Sequence, residues 1–403
     1  MLRHAARPVA LPIVPLLPLL LLLLLVPTAR AELSPWTLSF SQALARNSNV
    51  FYATDERAVG DTIASTGVRL GLDQPVGRQR LGASLGASHN RYRQLGHLDF
   101  TDHALDLRLD LETAERLSGT VTLQSARSLP RDQNDLSLGE RNLLTSRALG
   151  ATARLGLVTA WTLEAGAASS QSRYSAAAYR GSNADQASVQ IGLRVRPSSA
   201  LMLGGGLRRG QVDLVDVGTR IDRDDLDLLA TLAPGGASSF DARISLTREA
   251  YRYATGLGRD GQVWTGGFGW SWRPTGKLTT RMRLNRDTSN ARFDHASSLL
   301  QARTDQALRT TSLQLGANWQ ATAKLNVDLG LTRARRLLEQ GLIAGSDETT
   351  ALSLNARHAL RHSIDLGCGM TWSRRTVSYA PGQALSQPFR QTLYSCSGQI
   401  RLN

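Results

Sequence analysis

The sequence predicts an all-β fold, a transmembrane antiparallel up-and-down β-barrel of about eighteen strands. Three observations carry that expectation. Apolar residues alternate with period two in segments of about ten residues, the length a tilted strand needs to cross a bilayer. Short and long connections follow one another in turn along the chain. The apolar residues are also dispersed: the 403 residues are 41% hydrophobic and only 5% aromatic. Beyond Val26 no run approaches the ~20 residues of a membrane-spanning helix. A single hairpin cannot stand in lipid, because its outer edges carry unpaired backbone groups, so the hairpins must repeat until the sheet closes.

The first residues stand apart. Arg3 and Arg7 give a positive start, Leu11 to Val26 is apolar, and Ala29-Arg30-Ala31 has small-x-small spacing. This reads as a secretory signal peptide over 1–31, leaving a barrel over 32–403. Pro12, Pro15 and Pro18 argue against an uncleaved anchor helix. Cleavage removes three arginines and no acid, taking the net charge from +14 to +11.

Trp36, Leu38 and Phe40 open the first strand. Thr62 to Tyr92 is a hairpin, with Val68, Leu70 and Leu72 on one side, Arg69 and Asp73 on the other, and Gln74-Pro75-Val76-Gly77 at its turn. Leu105, Leu107, Leu109 and Leu111 alternate with Asp106, Arg108 and Asp110, the clearest apolar-out, charged-in strand. Leu117–Leu123, Leu149–Leu157, Trp161–Ala167, Val189–Val195, Leu201–Leu207 and Leu226–Leu232 follow. The series runs on through Phe240–Leu246, Trp264–Trp272, Leu278–Leu284, Leu313–Trp319, Leu325–Leu331, Leu352–Ala356, Ile364–Trp372 and Tyr394–Leu402.

Short links such as Asp73–Arg78, Arg196–Ser199 and Gln320–Ala323 fit periplasmic turns. Long polar ones, Asn47–Asp61, Ser128–Ser146, Asp287–Asp305, Arg335–Asp347 and Arg374–Arg390, fit extracellular loops. Trp36, Trp161, Trp270, Trp272 and Trp319 fall at the short-turn end, as an interfacial belt requires. Tyr92, Tyr174, Tyr251 and Tyr253 fall at the other end, where strict parity turns them inward. Either bulges rotate them or they line the mouth.

Several stretches resemble a known family: Asn49-Val50-Phe51, Asp61-Thr62-Ile63, Leu72 through Arg80, Tyr92-Arg93, Leu98-Asp99-Phe100, and the closing Tyr394-Ser395-Cys396-Ser397. The chain is similar there to the β-barrel porin 2 group, in particular the EpsL-type outer-membrane proteins encoded in exopolysaccharide operons of proteobacteria. The likeness is strongest over 32–110 and at the C-terminus. It implies a porin-like protein of a Gram-negative outer membrane that takes part in exopolysaccharide synthesis or export. The implied partners are outer-membrane lipid and lipopolysaccharide, the barrel assembly machinery, and the polymer or its export proteins. Many outer-membrane barrels end in an aromatic residue that marks them for assembly; this chain ends Ile400-Arg401-Leu402-Asn403.

On the strand parity Arg69, Arg108, Arg154, Arg194, Arg208, Arg243, Arg281, Arg283, Arg357 and Arg401 face inward, with Asp106, Asp110, Glu164, Asp225, Asp227, Asp241, Asp328 and Asp365. One reading is a mutually neutralised wet lining; the other is an arginine-biased channel favouring anions. The functional alternatives to polymer export are therefore a general anion-preferring diffusion porin and a plugged structural or adhesive barrel. The 47 basic residues are spread along the chain without a basic helix or stacking motif, so no nucleic-acid partner is expected.

No enzyme, cofactor or metal is expected either. The Gly204-Gly205-Gly206 and Gly266-Gly267 runs lack the lysine and helix of a phosphate loop. His97, Asp99, Asp102 and His103 form one loop cluster from which a carboxylate–histidine pair could be built. Cys368 and Cys396 lie in no metal-ligand spacing. They sit equally far from Gly382 on lipid-facing parity, so a symmetric hairpin opposes them, and an oxidising periplasm permits a disulfide between them.

Overall fold

The computed structural model describes residues 34–113, 116–130, 140–156, 160–253, 258–288, 307–340, 343–379 and 386–402. The proposed signal peptide lies outside them. The strands are β1 (Trp36–Asn47), β2 (Asp61–Val76), β3 (Gln79–Tyr92), β4 (Phe100–Glu112), β5 (Leu117–Ser128) and β6 (Leu144–Leu155). Next come β7 (Trp161–Tyr174), β8 (Ala184–Val195), β9 (Leu201–Leu214), β10 (Thr219–Gly235), β11 (Ser238–Arg252) and β12 (Gly258–Thr275). The last are β13 (Leu278–Asp287), β14 (Ala307–Gln320), β15 (Leu325–Gln340), β16 (Ile343–Arg361), β17 (Ile364–Tyr379) and β18 (Phe389–Leu402). They form one 18-stranded antiparallel sheet in which each strand pairs with its neighbours in sequence, and β1 pairs with both β2 and β18. The sheet is therefore a closed up-and-down barrel with no free edge, the condition lipid imposes on strands.

Partners across an antiparallel ladder share a face, so the register carries parity around the ring. Phe40, Val68, Ala87, Leu105 and Leu123 lie on outward positions; Ser39, Arg69, Gly86, Ala104 and Gln124 lie on inward ones. The outward side chains form the exposed apolar band: Leu85, Leu149, Ile191, Leu228, Ile244, Leu329 and Leu352 are all among the exposed large hydrophobics. In water so much exposed leucine and isoleucine would drive association; in a bilayer it is the solvated surface. At the short-turn end the band finishes in Trp36, Trp161, Trp272 and Trp319.

Short turns are built from few residues. Val76 pairs with Gln79, and Gly77 at φ +62° makes the left-handed corner that a Cβ would disfavour. At the other end several strands rise beyond the apolar band. The expectation of a long loop over Arg335–Asp347 is corrected: β15 and β16 stay paired up to Gln340 and Ile343. The segment is polar because the hairpin there has left the lipid, and Arg336 bonds Asp347 across the ladder at 2.6 and 2.8 Å. β17 likewise continues to Tyr379, taking in the first six residues of the expected loop Arg374–Arg390.

The tyrosine question resolves without bulges. Tyr92 packs inside with Val50 and Leu98, Tyr174 lies 6.2 Å from Tyr179, and Tyr251 packs on Ala184, Val212, Leu214 and Ile221. They seat the loop ends on the inner wall of the mouth.

Candidate functional site

The inward faces of the strands make the candidate site, the wall of the lumen. All ten arginines read as lumen-lining occupy inward register positions; Arg401, Ser39, Arg69 and Gly86 even follow one another across β18, β1, β2 and β3. Most are neutralised where they stand. Glu164 takes Arg154 at 2.8 Å and Arg194 at 3.0 Å. Asp365 is held between Arg357 and Arg401, and Arg108 forks onto Asp110.

The densest cluster surrounds a residue that strand parity had not reached, Arg223 on β10, which is 1% exposed. Its Nε donates to Asp225 at 2.9 Å, Nη2 to Asp287 at 3.1 Å, and Nη1 to Thr288 Oγ1 at 2.8 Å. Thr288 in turn donates to Glu249 at 2.5 Å. Asp225 also accepts from Arg208 and Thr247, and Asp287 from Arg243. A guanidinium so deeply buried is tolerable only with every N–H engaged and its charge answered, and this one meets three carboxylates. The cluster fastens the end of β13 to β10 and β11 across the inner face of β12.

Among the described residues acids thus match arginines on the wall. Asp102, Glu249, Asp287 and Asp347 join the expected acids, and Arg223, Arg336 and Arg375 the expected arginines. The residual charge is uneven instead. Arg281 and Arg283 on β13 are exposed, and neither is ion-paired to a described carboxylate. Arg283, with Arg194 and Arg243, borders a recess of about 280 Å³ floored by Gly204 and Gly267 and containing Asp241. Nine strands away, directly opposite in a ring of eighteen, β4 turns Asp102, Asp106, Asp110 and Glu112 inward against Arg108 alone. Asp102 accepts from Ser88 and Asn90, and Asp106 from Ser84, so neither draws on a cation. The two exposed arginines of β13 thus face a strand that carries more acid than base, although Arg69 on β2 and Arg80 on β3 stand beside it.

The proposed carboxylate–histidine cluster does not assemble. Asp102 and His103 are consecutive strand residues and point to opposite faces, while Asp99 accepts the Tyr92 backbone N–H at 2.7 Å. No hydrogen bond joins either histidine to either acid among the described residues.

Of the residues that carry the family resemblance, Asn49 and Asp61 hold loops, Leu72 through Arg80 form the β2–β3 turn, and Tyr394 to Ser397 lie within β18. Asn49, fully buried, donates to the carbonyls of Ala53 and Arg390. Asp61, also fully buried, accepts the N–H groups of Gln94 and Leu95. These groups shape the rim of β1–β4 and touch no open part of the lumen. On the lipid face, the register opposes Cys368 and Cys396, and a disulfide joins them.

No protein-family model and no curated protein matches the sequence. Solved structures do match the fold, which defines a class: 18-stranded barrels of the outer-membrane porin type. The chain is similar to OccK2 (OpdF) of Pseudomonas aeruginosa at TM-score 0.52 and 13% identity, over 91% of this chain and 98% of that one. It is similar to OpdO of the same organism at TM-score 0.51 and 13% identity, over 91% and 97%. Identities this low speak for the fold alone.

Proposed function

We propose that this barrel is a diffusion pore in a Gram-negative outer membrane, reached after removal of residues 1–31, and that it favours small anions. The observation that carries the reading is the pair Arg281 and Arg283, exposed on the inner wall and ion-paired to no described carboxylate. An anion passing along β13 finds two exposed cations with no ion-pair partner among the described residues, and the acids of β4 press it toward that side. Because most other wall charges are paired, the preference is modest rather than exclusive. A barrel of the same fold, OccK2 (OpdF), has been crystallised in complex with glucuronate, so organic anions are the first solutes to test. The narrower reading of exopolysaccharide export rests on the family resemblance, and of its residues Asn49 and Asp61 hold the rim rather than line a path.

In planar bilayers under a salt gradient the reversal potential is expected to favour chloride over potassium. Arg281→Glu with Arg283→Glu is expected to move it toward potassium. A cation preference in the unaltered protein, or no conductance, overturns the reading.

A further inference from the structure

The outward-facing arginines near the long-loop end divide the barrel into two arcs. On six strands, β7 to β12, every one brings its own counter-charge. Arg173 pairs with Asp185, Arg220 with Asp213, and Arg252 with Asp222. Arg209 faces Asp224 and Arg248 faces Asp260, although both arginines are well exposed. On the other twelve strands this pattern fails. Arg46 on β1, Arg91 on β3, Arg127 on β5, Arg147 on β6, Arg286 on β13 and Arg374 on β17 share the outward face and are exposed. None is ion-paired to a described carboxylate. Among the described outward arginines of this arc, only Arg333 with Glu348 and Arg390 with Asp55 are paired.

Their height is as informative as their charge. Arg46 stands one outward position beyond Leu44, Arg147 beyond Leu149, Arg286 beyond Leu284, and Arg374 beyond Trp372. That is the boundary where the apolar band ends and lipid headgroups begin. The short-turn boundary carries tryptophans at the corresponding places. Arginine's planar fork matches a phosphate bidentately, and the cross-strand neighbours of these arginines, such as Thr62 beside Arg46 and Gln171 beside Arg147, carry no opposite charge.

We infer that the arc β13–β18 and β1–β6 seats the phosphate groups of anionic lipid headgroups in the leaflet at the long-loop end, while β7–β12 is indifferent to headgroup charge. The membrane supplies on twelve strands the counter-charge that the chain itself supplies on six.

The test uses the folded full barrel in zwitterionic detergent micelles, with dioleoylphosphatidic acid as probe, dioleoylphosphatidylcholine as reference, and native mass spectrometry as readout. Phosphatidic acid is expected to be retained in preference to phosphatidylcholine. The fourfold variant Arg46→Gln, Arg91→Gln, Arg127→Gln and Arg147→Gln is expected to weaken retention by roughly fivefold per arginine. A charge-neutral control on the other arc, Arg209→Gln, Asp224→Asn, Arg248→Gln and Asp260→Asn, is expected to leave it unchanged. If the fourfold variant does not fold, Arg127→Gln with Arg147→Gln carries the test, with a loss of roughly 25-fold. Equal losses on both arcs, no preference for phosphatidic acid, or displacement of the lipid by equimolar inorganic phosphate would each overturn the inference.

Discussion

Two arcs of the inner wall are built on opposite plans. From β6 to β9 the mid-height positions are nearly bare: Gly150, Gly166, Ala168, Ser188, Gly192, Gly204 and Gly206 turn inward. From β10 to β13 the same height is filled by Arg223, Asp225, Asp227, Arg243, Ser245, Thr247 and Asp287. One arc gives the lumen its width; the other gives it charge and braces the sheet from inside. The bare arc needs no such bracing, because close strand contact already fixes it: a Cβ on Gly206 would come 2.9 Å from the Ile191 carbonyl oxygen. Width and rigidity are thus assigned to different strands rather than compromised on each.

The comparison breaks most visibly at Arg223. Arg223→Met removes the buried cation that Asp225, Glu249 and Asp287 share, leaving Asp225 to Arg208 and Asp287 to Arg243, and is expected to cost about 3–5 kcal/mol. The unfolding midpoint in urea, followed by loss of heat-modifiable mobility, measures it. Arg208 stands where the arcs meet and shares Asp225 with Arg223. Arg208→Met is therefore expected to cost less, about 1–3 kcal/mol, in the same assay, because Asp225 keeps its other partner. The smallest stability effect falls on the bare arc. Ser188→Arg is expected to shift the midpoint by less than ~0.5 kcal/mol while lowering single-channel conductance, since the added side chain has only water to displace. If Ser188→Arg destabilised as much as Arg223→Met, the division of labour would be wrong.

The barrel was legible in the sequence for a simple reason. Lipid outside and water inside impose period two on every strand, and Leu105 to Leu111 against Asp106 to Asp110 could hardly be read another way. Strand ends were not legible. Above the lipid both faces are polar, so Arg335–Asp347 looked like a loop although its ladder is complete. Arg223 escaped for the same cause: β10 read as beginning at Leu226, whereas it begins at Thr219. The parity that placed Asp225 and Asp227 inward already extended to Arg223, had the strand been carried further. Its bond to Thr288 was beyond reach, because it links strands three apart at the root of a loop. Charge balance stayed open between a neutralised and an arginine-biased lining, since Arg336, Asp347, Glu249 and Asp287 all sit where the apolar signal fades.

The disulfide gives strand β18 two unlike neighbours. Toward β17 it is held by a covalent bond between Cys368 and Cys396 as well as by the ladder; toward β1 it is held without a covalent link, by the ladder and the bonds of Asn49 to Arg390 and Gln391. One side of this strand is riveted and the other is zipped. In an oxidising compartment only the zip can be undone without chemistry, so any strand that has to enter this wall beside β18 has a single door, between the last strand and the first.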